Sequence, residues 1–248
     1  MTDPKFEALL RLGDNTLILG HRVSEWCGHA PVLEEDIALA NTALDLIGHT
    51  QMWLGLAAEV EGKGRTADDL AYLRDAMDFT NLLLVERPNG DFARTTLRGF
   101  LFDAWHKPML EGLKSHPDTR IADIAGKALK EVLYHVDRSA DLVIRLGDGT
   151  EESHQRMQAA LDDLWPYVGE MFIPDAVDEA LAGDVPDLAT IRERWEATVT
   201  PVLEEATLTR PDNDFAQTGG KTGRHSEHLG YLLAEMQFLQ RAYPGATW

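Results

Sequence analysis

Acidic residues and histidines recur along the helical segments of this sequence at spacings that suit metal chemistry. They are Asp14 and Glu25 on the first segment, Asp45 and His49 on the second, Asp103 and His106 on the third, and Glu131 and His135 on the fourth. In carboxylate-bridged di-iron bundles, two Glu-x-x-His pairs and two further acids face one cavity. Two adjacent cations need bridging anions, and side chains three residues apart share a helix face. Iron binding of this kind therefore depends on register.

The register around two of the histidines does not supply the bridging acids. Leu46 stands three residues before His49, and Val132 stands three residues before His135, so both bridging positions are aliphatic. A di-iron centre is therefore not predicted. Scattered acids and histidines in an all-α protein are more often ion pairs and buried hydrogen-bond partners, and we expect that role here.

A mononuclear iron site is the alternative that these residues leave open. His49, His135 and Asp103 would form a set of two histidines and one carboxylate if they converged, which is the ligand type of mononuclear non-haem iron. Asp103 also shares a face with His106, although that helix would need only the acid. Lys107 lies one turn after Asp103 and could neutralise its charge instead.

The segment at residues 218–230, "TGGKTGRHSEHLG", could suggest two further sites. Its "GKT" is typical of a phosphate-binding loop, but the first glycine would fall at Phe215 and no strand is predicted before it. His225 and His228 are spaced to share a helix face and could bind zinc, but a zinc site needs further ligands that this segment lacks. A capped helix start with polar residues at an interface is the better interpretation.

Apolar residues at three- and four-residue spacing predict four long helices, and hence a single all-α domain over residues 1–248. The long helices are expected at residues 6–26, 33–61, 92–115 and 118–147, the third kinked or ended near Pro108. Shorter helices are expected at residues 68–77, 153–171, 187–205 and 224–241, whereas "NLLLVE" at 81–86 is too short to assign. The predicted architecture is a four-helix bundle with additional C-terminal helices.

Composition narrows the classes of partner. Lys and Arg total 23 against 42 Asp and Glu, which gives a formal net charge of −19. Such a surface repels phosphate backbones and anionic lipid, so we expect neither nucleic-acid nor membrane partners, and any protein partner should be basic. Cys27 is the only cysteine, and we see neither a signal peptide nor an apolar run long enough to span a bilayer. We therefore expect a cytoplasmic protein.

Segments distributed along the chain resemble one protein family. They are "RLGDN", "SEWCGHAPVLE", "ALANTALDLIGH", "NLLLVERPNGDFA", "FDAWH", "KEVLYH", "RLGDGT", "TGGKTGRHSEHLG" and "LAEMQFLQRAYPG". In this order they closely resemble the family of C subunits of bacterial phenylacetyl-CoA epoxidases, also called phenylacetate-CoA oxygenases. The resemblance covers residues 11–248. It implies a ferritin-like fold and a role in aerobic phenylacetate breakdown, as the non-catalytic partner of a homologous subunit that holds the di-iron centre.

The resemblance also implies which positions once held metal. The catalytic subunit looks like the same helices with Glu on the first, Glu-x-x-His on the second, Asp on the third and Glu-x-x-His on the fourth. Its ligand positions fall in this chain at Thr16, Leu46, His49, Asp103, Val132 and His135. Asp14 lies near the first of them and could replace it after a shift. The implied site is therefore vestigial, with no bound metal or other cofactor and no catalytic residue.

The partners that the resemblance implies are the other subunits of the epoxidase. The catalytic di-iron subunit would be the main partner, and a separate reductase subunit would supply electrons for ring-1,2-epoxidation. The first two helices, around residues 11–53, are the expected contact, and residues 218–230 are a second candidate. A chain isolated from its partner is expected to cover that surface by forming a homodimer.

Overall fold

The structure, a computed structural model, describes residues 3–213 and 215–246. These residues form α-helices and short 3-10 helices and contain no β-strand. The predicted all-α class is therefore confirmed. No helix within these ranges is both long and apolar enough to cross a membrane.

The α-helices follow one another in this order along the chain. They are α1 (Pro4–Ser24), α2 (Leu33–Glu61), α3 (Ala67–Tyr72), α4 (Leu83–Glu86), α5 (Phe92–Leu113), α6 (Thr119–Gly147), α7 (Glu151–Leu164), α8 (Ala176–Ala180), α9 (Leu188–Glu205), α10 (Glu227–Met236) and α11 (Phe238–Ala242). The four long helices predicted from periodicity are α1, α2, α5 and α6.

The chain divides into two compact units. The first contains the described residues up to Pro88 and those from Thr218 onward, and the second contains Asn89–Gln217. The first unit therefore holds α1–α4, α10 and α11, and the second holds α5–α9. The single domain expected from the sequence stays a prediction.

In the first unit, α1 packs closely against α2 because α1 presents small residues to it. A Cβ atom added to Gly13 would overlap a methyl carbon of Leu54, so any larger residue there would displace the buried Leu54 side chain. Between these backbones, the hydroxyls of Thr16 and Thr50 are hydrogen-bonded at 2.9 Å. The hydroxyl of Thr50 also lies 2.9 Å from the carbonyl of Leu46, so the two helices share a small polar contact inside an apolar interface.

In the second unit, α5 packs against α6, α7 and α9. Two buried tryptophans tie these layers together, because the indole of Trp195 donates to the carbonyl of Leu101 at 2.9 Å and that of Trp105 donates to Met171 at 3.2 Å. Pro108 lies inside α5, which continues to Leu113. Of the two possibilities left open by the sequence, the helix continues past Pro108 rather than ending at it, with one backbone donor missing at the proline.

Several boundaries differ from the sequence-based expectation. Helix α1 ends at Ser24, so Glu25 lies just beyond it, and the expected helix at 68–77 is α3 followed by a 3-10 turn at Ala76–Asp78. The expected helix at 153–171 ends at Leu164 and continues as two 3-10 turns. The expected helix at 224–241 begins at Glu227 and is interrupted at Gln237.

Candidate functional site

Asp103 is the one carboxylate that the chain retains at a position where the resemblance implies an iron ligand. It lies on α5 and is only 4% exposed. Its Oδ1 atom has no hydrogen-bond partner among the described residues. Burial raises the pKa of Asp103 to about 7, although the charge of His135 on α6 acts in the opposite direction. Lys107, which could have neutralised Asp103, is not among the groups that shift this pKa.

Only one face of the "KEVLYH" segment of α6 is buried. Val132 and His135 are buried at 0% and 3% exposure, whereas Glu131 is partly exposed and Tyr134 is exposed. The acid of this segment therefore does not share the buried face of His135. A valine side chain occupies the place on that face from which a Glu-x-x-His pair would present its carboxylate.

The corresponding positions of the first unit are also buried. Leu46 and His49 on α2 are both 0% exposed. Thr16 on α1 is equally buried, and its hydroxyl is bonded to Thr50 and lies 3.0 Å from the carbonyl of Gly13. Thr16 therefore takes part in helix packing, and it offers no carboxylate.

Asp14, the alternative to Thr16, is bound elsewhere in the first unit. The guanidinium of Arg74 donates hydrogen bonds to both oxygens of the Asp14 carboxylate, one of them at 3.0 Å. The backbone N–H and the hydroxyl of Thr80 donate to the same carboxylate at 2.9 and 3.1 Å. Asp14 and Arg74 are 0% and 5% exposed, so this is a buried and fully bonded ion pair. Its carboxylate has a structural role.

The zinc interpretation of His225 is wrong. Its Nδ1 atom lies 2.8 Å from an oxygen of Glu86 and its Nε2 atom lies 2.9 Å from the carbonyl of Phe79, so both ring nitrogens are already bonded. Burial alone would lower the pKa of His225, but the hydrogen bond and the negative charge of Glu86 outweigh it, and the pKa is raised. This histidine holds residues 218–226 in place.

The glycines of this segment have a structural explanation too. Gly223 has φ +77°, and a Cβ added to it would overlap the carbonyl oxygen of Met77. This close backbone approach is made within the first unit. The "GKT" residues form a 3-10 turn, Gly220–Thr222, as expected for a segment that is not a phosphate-binding loop.

Glu86 is a buried polar residue that the sequence pattern does not single out. It is 0% exposed at the end of α4, and it accepts hydrogen bonds from the Asn81 amide at 3.1 Å and the Ser226 backbone N–H at 2.7 Å. With His225, these contacts join "NLLLVE" to the start of α10. The signal in the sequence is a single acid ending an apolar run, which does not identify partners about 140 residues away.

Fold and sequence together place this chain among all-α, ferritin-like proteins, and the two positions at which the resemblance implies bridging carboxylates carry Leu46 and Val132. The chain belongs to the phenylacetic acid catabolic protein family, whose family model matches residues 1–248. It is 49% identical to the C subunit of the 1,2-phenylacetyl-CoA epoxidase of Escherichia coli (strain K12) over 241 residues, which cover 96% of this chain and 97% of that protein.

The residues present do not fit a di-iron centre. In the first unit the implied positions carry Thr16, Leu46 and His49, which include no carboxylate, and in the second they carry one, Asp103. Across the described residues, no three His, Cys, Asp or Glu side chains are grouped so as to hold a metal ion. The mononuclear alternative therefore has no support from the structure either. Without bridging anions, two iron cations in an apolar interior would carry uncompensated charge at high cost.

Proposed function

We propose that this chain is a non-catalytic structural subunit of a multicomponent phenylacetyl-CoA ring-1,2-epoxidase. Its identity to a protein named as the C subunit of such an epoxidase supports the complex and the substrate. The observation that carries the non-catalytic role is the complete burial of Leu46 and Val132, each on the inner face that bears a histidine. Apolar side chains there stabilise a helix interior without metal, whereas unpaired buried carboxylates would destabilise it.

In this role the chain supports a catalytic subunit that holds the di-iron centre, and a reductase subunit supplies electrons. The chain binds neither iron nor phenylacetyl-CoA in a productive way. The homodimer expected for the isolated chain stays a prediction that light scattering can test.

The first experiment separates a structural from a catalytic role. The purified chain and the catalytic subunit are each incubated with Fe(II) under anaerobic conditions, desalted and analysed for iron. We expect well below stoichiometric iron in this chain and stoichiometric iron in the catalytic subunit. The two are then assayed singly and together, with reductase, for epoxidation. Stoichiometric iron with turnover by this chain alone would show the proposal to be wrong.

A second experiment restores the missing acids. We expect Leu46→Glu combined with Val132→Glu to raise iron affinity and to lower the melting temperature of the metal-free protein. Each change buries an ionisable group, which costs several kcal/mol unless it is paired or protonated. Leu46→Met with Val132→Ile is the control, because it changes shape without adding charge. A double Glu variant that melts no lower than this control contradicts the assignment of these positions.

A further inference from the structure

The side chain of His225 lies between two hydrogen-bond acceptors. Its Nδ1 atom is 2.8 Å from an oxygen of the Glu86 carboxylate, and its Nε2 atom is 2.9 Å from the backbone carbonyl of Phe79. A carbonyl and an ionised carboxylate can accept hydrogen bonds but cannot donate them. A neutral imidazole has one N–H and would satisfy only one of these contacts, whereas the imidazolium satisfies both. The geometry therefore fits a His225 ring that carries two protons.

The other bonds of Glu86 indicate that the second proton is on the histidine and not on the acid. Both carboxylate oxygens accept N–H donors, from the Ser226 backbone at 2.7 Å and from the Asn81 amide at 3.1 Å. Hydrogen bonds of this kind favour the ionised form of a carboxylate. The side chains of His225 and Glu86 are 4% and 0% exposed, so each charge is compensated mainly by the other.

Charged groups on several elements surround this pair. They are Asp14 and Arg22 on α1, Arg74 and Asp78 beside the 3-10 turn, Glu86 and Arg87 at the end of α4, and Glu227 and His228 at the start of α10. Carboxylates and guanidiniums ordinarily keep one charge between about pH 6.5 and about pH 9. Burial, and then the charge of Arg87, lowers the pKa of His228. Although burial opposes it, the hydrogen bond and charge of Glu86 raise the pKa of His225. His225 is therefore the group whose charge changes above about pH 6.5.

Residues 218–226, which we call the latch segment, are held by polar contacts. The sequence of the latch segment, "TGGKTGRHS", contains no large apolar side chain. Its turn is closed internally, because the Arg224 N–H and the Thr222 hydroxyl donate to the Gly219 carbonyl at 2.9 and 3.0 Å. Its shortest hydrogen bonds to the rest of the first unit are those of His225 and Ser226. Segments that bury few apolar groups are the ones that open locally in folded proteins.

Helix α10, which follows the latch segment, has attachments of its own. Leu229, Leu232 and Leu233 are buried. The Gln237 amide, just after the helix, donates to the carbonyls of Ala71 and Arg74 at 3.1 and 3.0 Å. None of these contacts involves His225. The latch segment can therefore open while α10 stays packed.

We propose that His225 and Glu86 form a proton-dependent latch. While the His225 ring carries two protons, the latch segment is closed on α4. In mildly alkaline solution one ring proton passes to water, and the neutral ring then turns a lone pair towards Glu86 or Phe79. The latch segment is released, and the rest of the first unit stays folded.

The size of the effect follows from the proton count. The closed state binds one more proton than the open state between the ordinary histidine pKa, about 6.5, and the raised pKa of the closed state. The stability of the closed state is therefore complete below about pH 6.5 and is lost as pH rises. Over that range the equilibrium constant for opening increases about tenfold per pH unit.

Hydrogen exchange of the Ser226 amide measures opening, because this N–H donates to Glu86. Exchange is followed from about pH 6.5 to about pH 8.5, and each rate is divided by that of an unstructured peptide at the same pH. We expect the protection of Ser226 to fall about tenfold per pH unit and that of Leu232 and Leu233 to stay constant. Constant protection of Ser226 overturns the latch, and an equal fall at Leu232 and Leu233 overturns its local character.

Two histidine variants identify the group that titrates. His225→Gln should leave Ser226 weakly protected at every pH, because the amide does not titrate. His228→Gln is the matched control three residues away, and it should keep the pH dependence of the unchanged protein. Circular dichroism melts establish that both variants fold. Either a pH dependence that survives His225→Gln or one that disappears in His228→Gln overturns the proposal.

A measurement on the unchanged protein does not depend on whether a variant folds. With 15N-labelled histidine, long-range 1H–15N NMR spectra distinguish an imidazolium from either neutral tautomer. We expect His225 to have both ring nitrogens protonated at about pH 7, above the ordinary histidine pKa. Its conversion to a neutral ring should follow the same pH dependence as the loss of Ser226 protection. A neutral His225 tautomer at about pH 7 overturns the proposal, because the proton would then lie on Glu86.

Discussion

The first unit buries two carboxylates, Asp14 and Glu86, that differ from Asp103 in the second. Asp14 accepts hydrogen bonds from Arg74 and Thr80. Glu86 is hydrogen-bonded to three groups, one of which is His225. Asp103 has an oxygen without a hydrogen bond among the described residues, and its pKa is raised to about 7 by burial. All three are 4% exposed or less, so burial alone does not distinguish them.

Asp14 and Glu86 therefore stabilise the fold, whereas the burial of Asp103 costs free energy. A buried acid with complete bonding stabilises the arrangement of the segments that it joins. A buried acid with an unbonded oxygen costs free energy, and a functional origin of the residue type is one explanation for such a group. This supports what the resemblance implies, namely that Asp103 stands at the position of an iron ligand.

The largest effect is expected from breaking the Asp14 pair. Asp14→Asn leaves the buried charge of Arg74 without its counter-ion, and we expect the free energy of unfolding to fall by about 3–5 kcal/mol. Urea denaturation followed by circular dichroism measures it. Asp75→Asn is the control, because Asp75 pairs with Arg241 at an exposed position and should cost less than about 1 kcal/mol. Equal losses of unfolding free energy in the two variants would contradict the distinction between the buried and the exposed ion pair.

Asp103→Asn should have the opposite sign. The pKa of Asp103 is raised from 3.8 to about 7 in the folded protein, so the folded state retains a proton that the unfolded state releases between these values. The free energy of unfolding therefore falls as pH rises from about 4 to about 7, by at most about 4 kcal/mol. We expect the Asn variant to match the unchanged protein near pH 4 and to be more stable near pH 8. Destabilisation at pH 8 would indicate that Asp103 is a fully bonded structural acid.

Glu86→Gln should have a smaller effect than Asp14→Asn, because the amide retains the shape and one acceptor. We expect a loss of about 1.5–3 kcal/mol, the range for hydrogen bonds to a charged group. Hydrogen exchange should locate the loss at the Ser226 amide, which donates to Glu86. Glu25→Gln is the control, because Glu25 pairs with Arg22 at the surface. Unchanged exchange at Ser226 would show that Glu86 does not hold this segment.

Features that depend on neighbouring residues are predicted better from the sequence than features that depend on contacts between distant segments. Apolar periodicity predicts α2 at 33–61 and the structure has it at Leu33–Glu61, because that periodicity and the left-handed Gly62 act within a few residues. The buried register of Val132 and His135 follows from the same periodicity. These features need no knowledge of tertiary contacts.

Features that depend on contacts between distant segments do not follow from the sequence pattern. The helix expected at 224–241 is interrupted at Gln237, whose side-chain amide donates to the carbonyls of Ala71 and Arg74 at 3.1 and 3.0 Å. Arg74, which binds Asp14, lies 60 residues from it, and Ser226, which binds Glu86, lies 140 residues from it, and no spacing rule identifies either partner. His225 resembles a possible zinc ligand for the same reason, since its carboxylate partner is on α4.

The smallest predicted effect concerns His225 in the first unit. It is expected in a different pH range from the effect of Asp103 in the second unit. The folded-state pKa of His225 is raised, because Glu86 outweighs the effect of burial, so its pair contributes stability that is fully present below the unfolded pKa. That stability is lost as pH rises above about 6.5 and through the raised folded value. Asp103 acts in a lower pH window, between about 4 and about 7.

We therefore expect Asp103→Asn to remove the acid-side slope of stability against pH, and Glu86→Gln to remove the slope above about pH 6.5, each leaving the other in place. Melting temperatures of the single and double variants from about pH 4 to about pH 8.5 measure both slopes. If either substitution removed both slopes, the two buried groups would titrate as one coupled system, and the contrast between a bonded and an unbonded carboxylate would not hold.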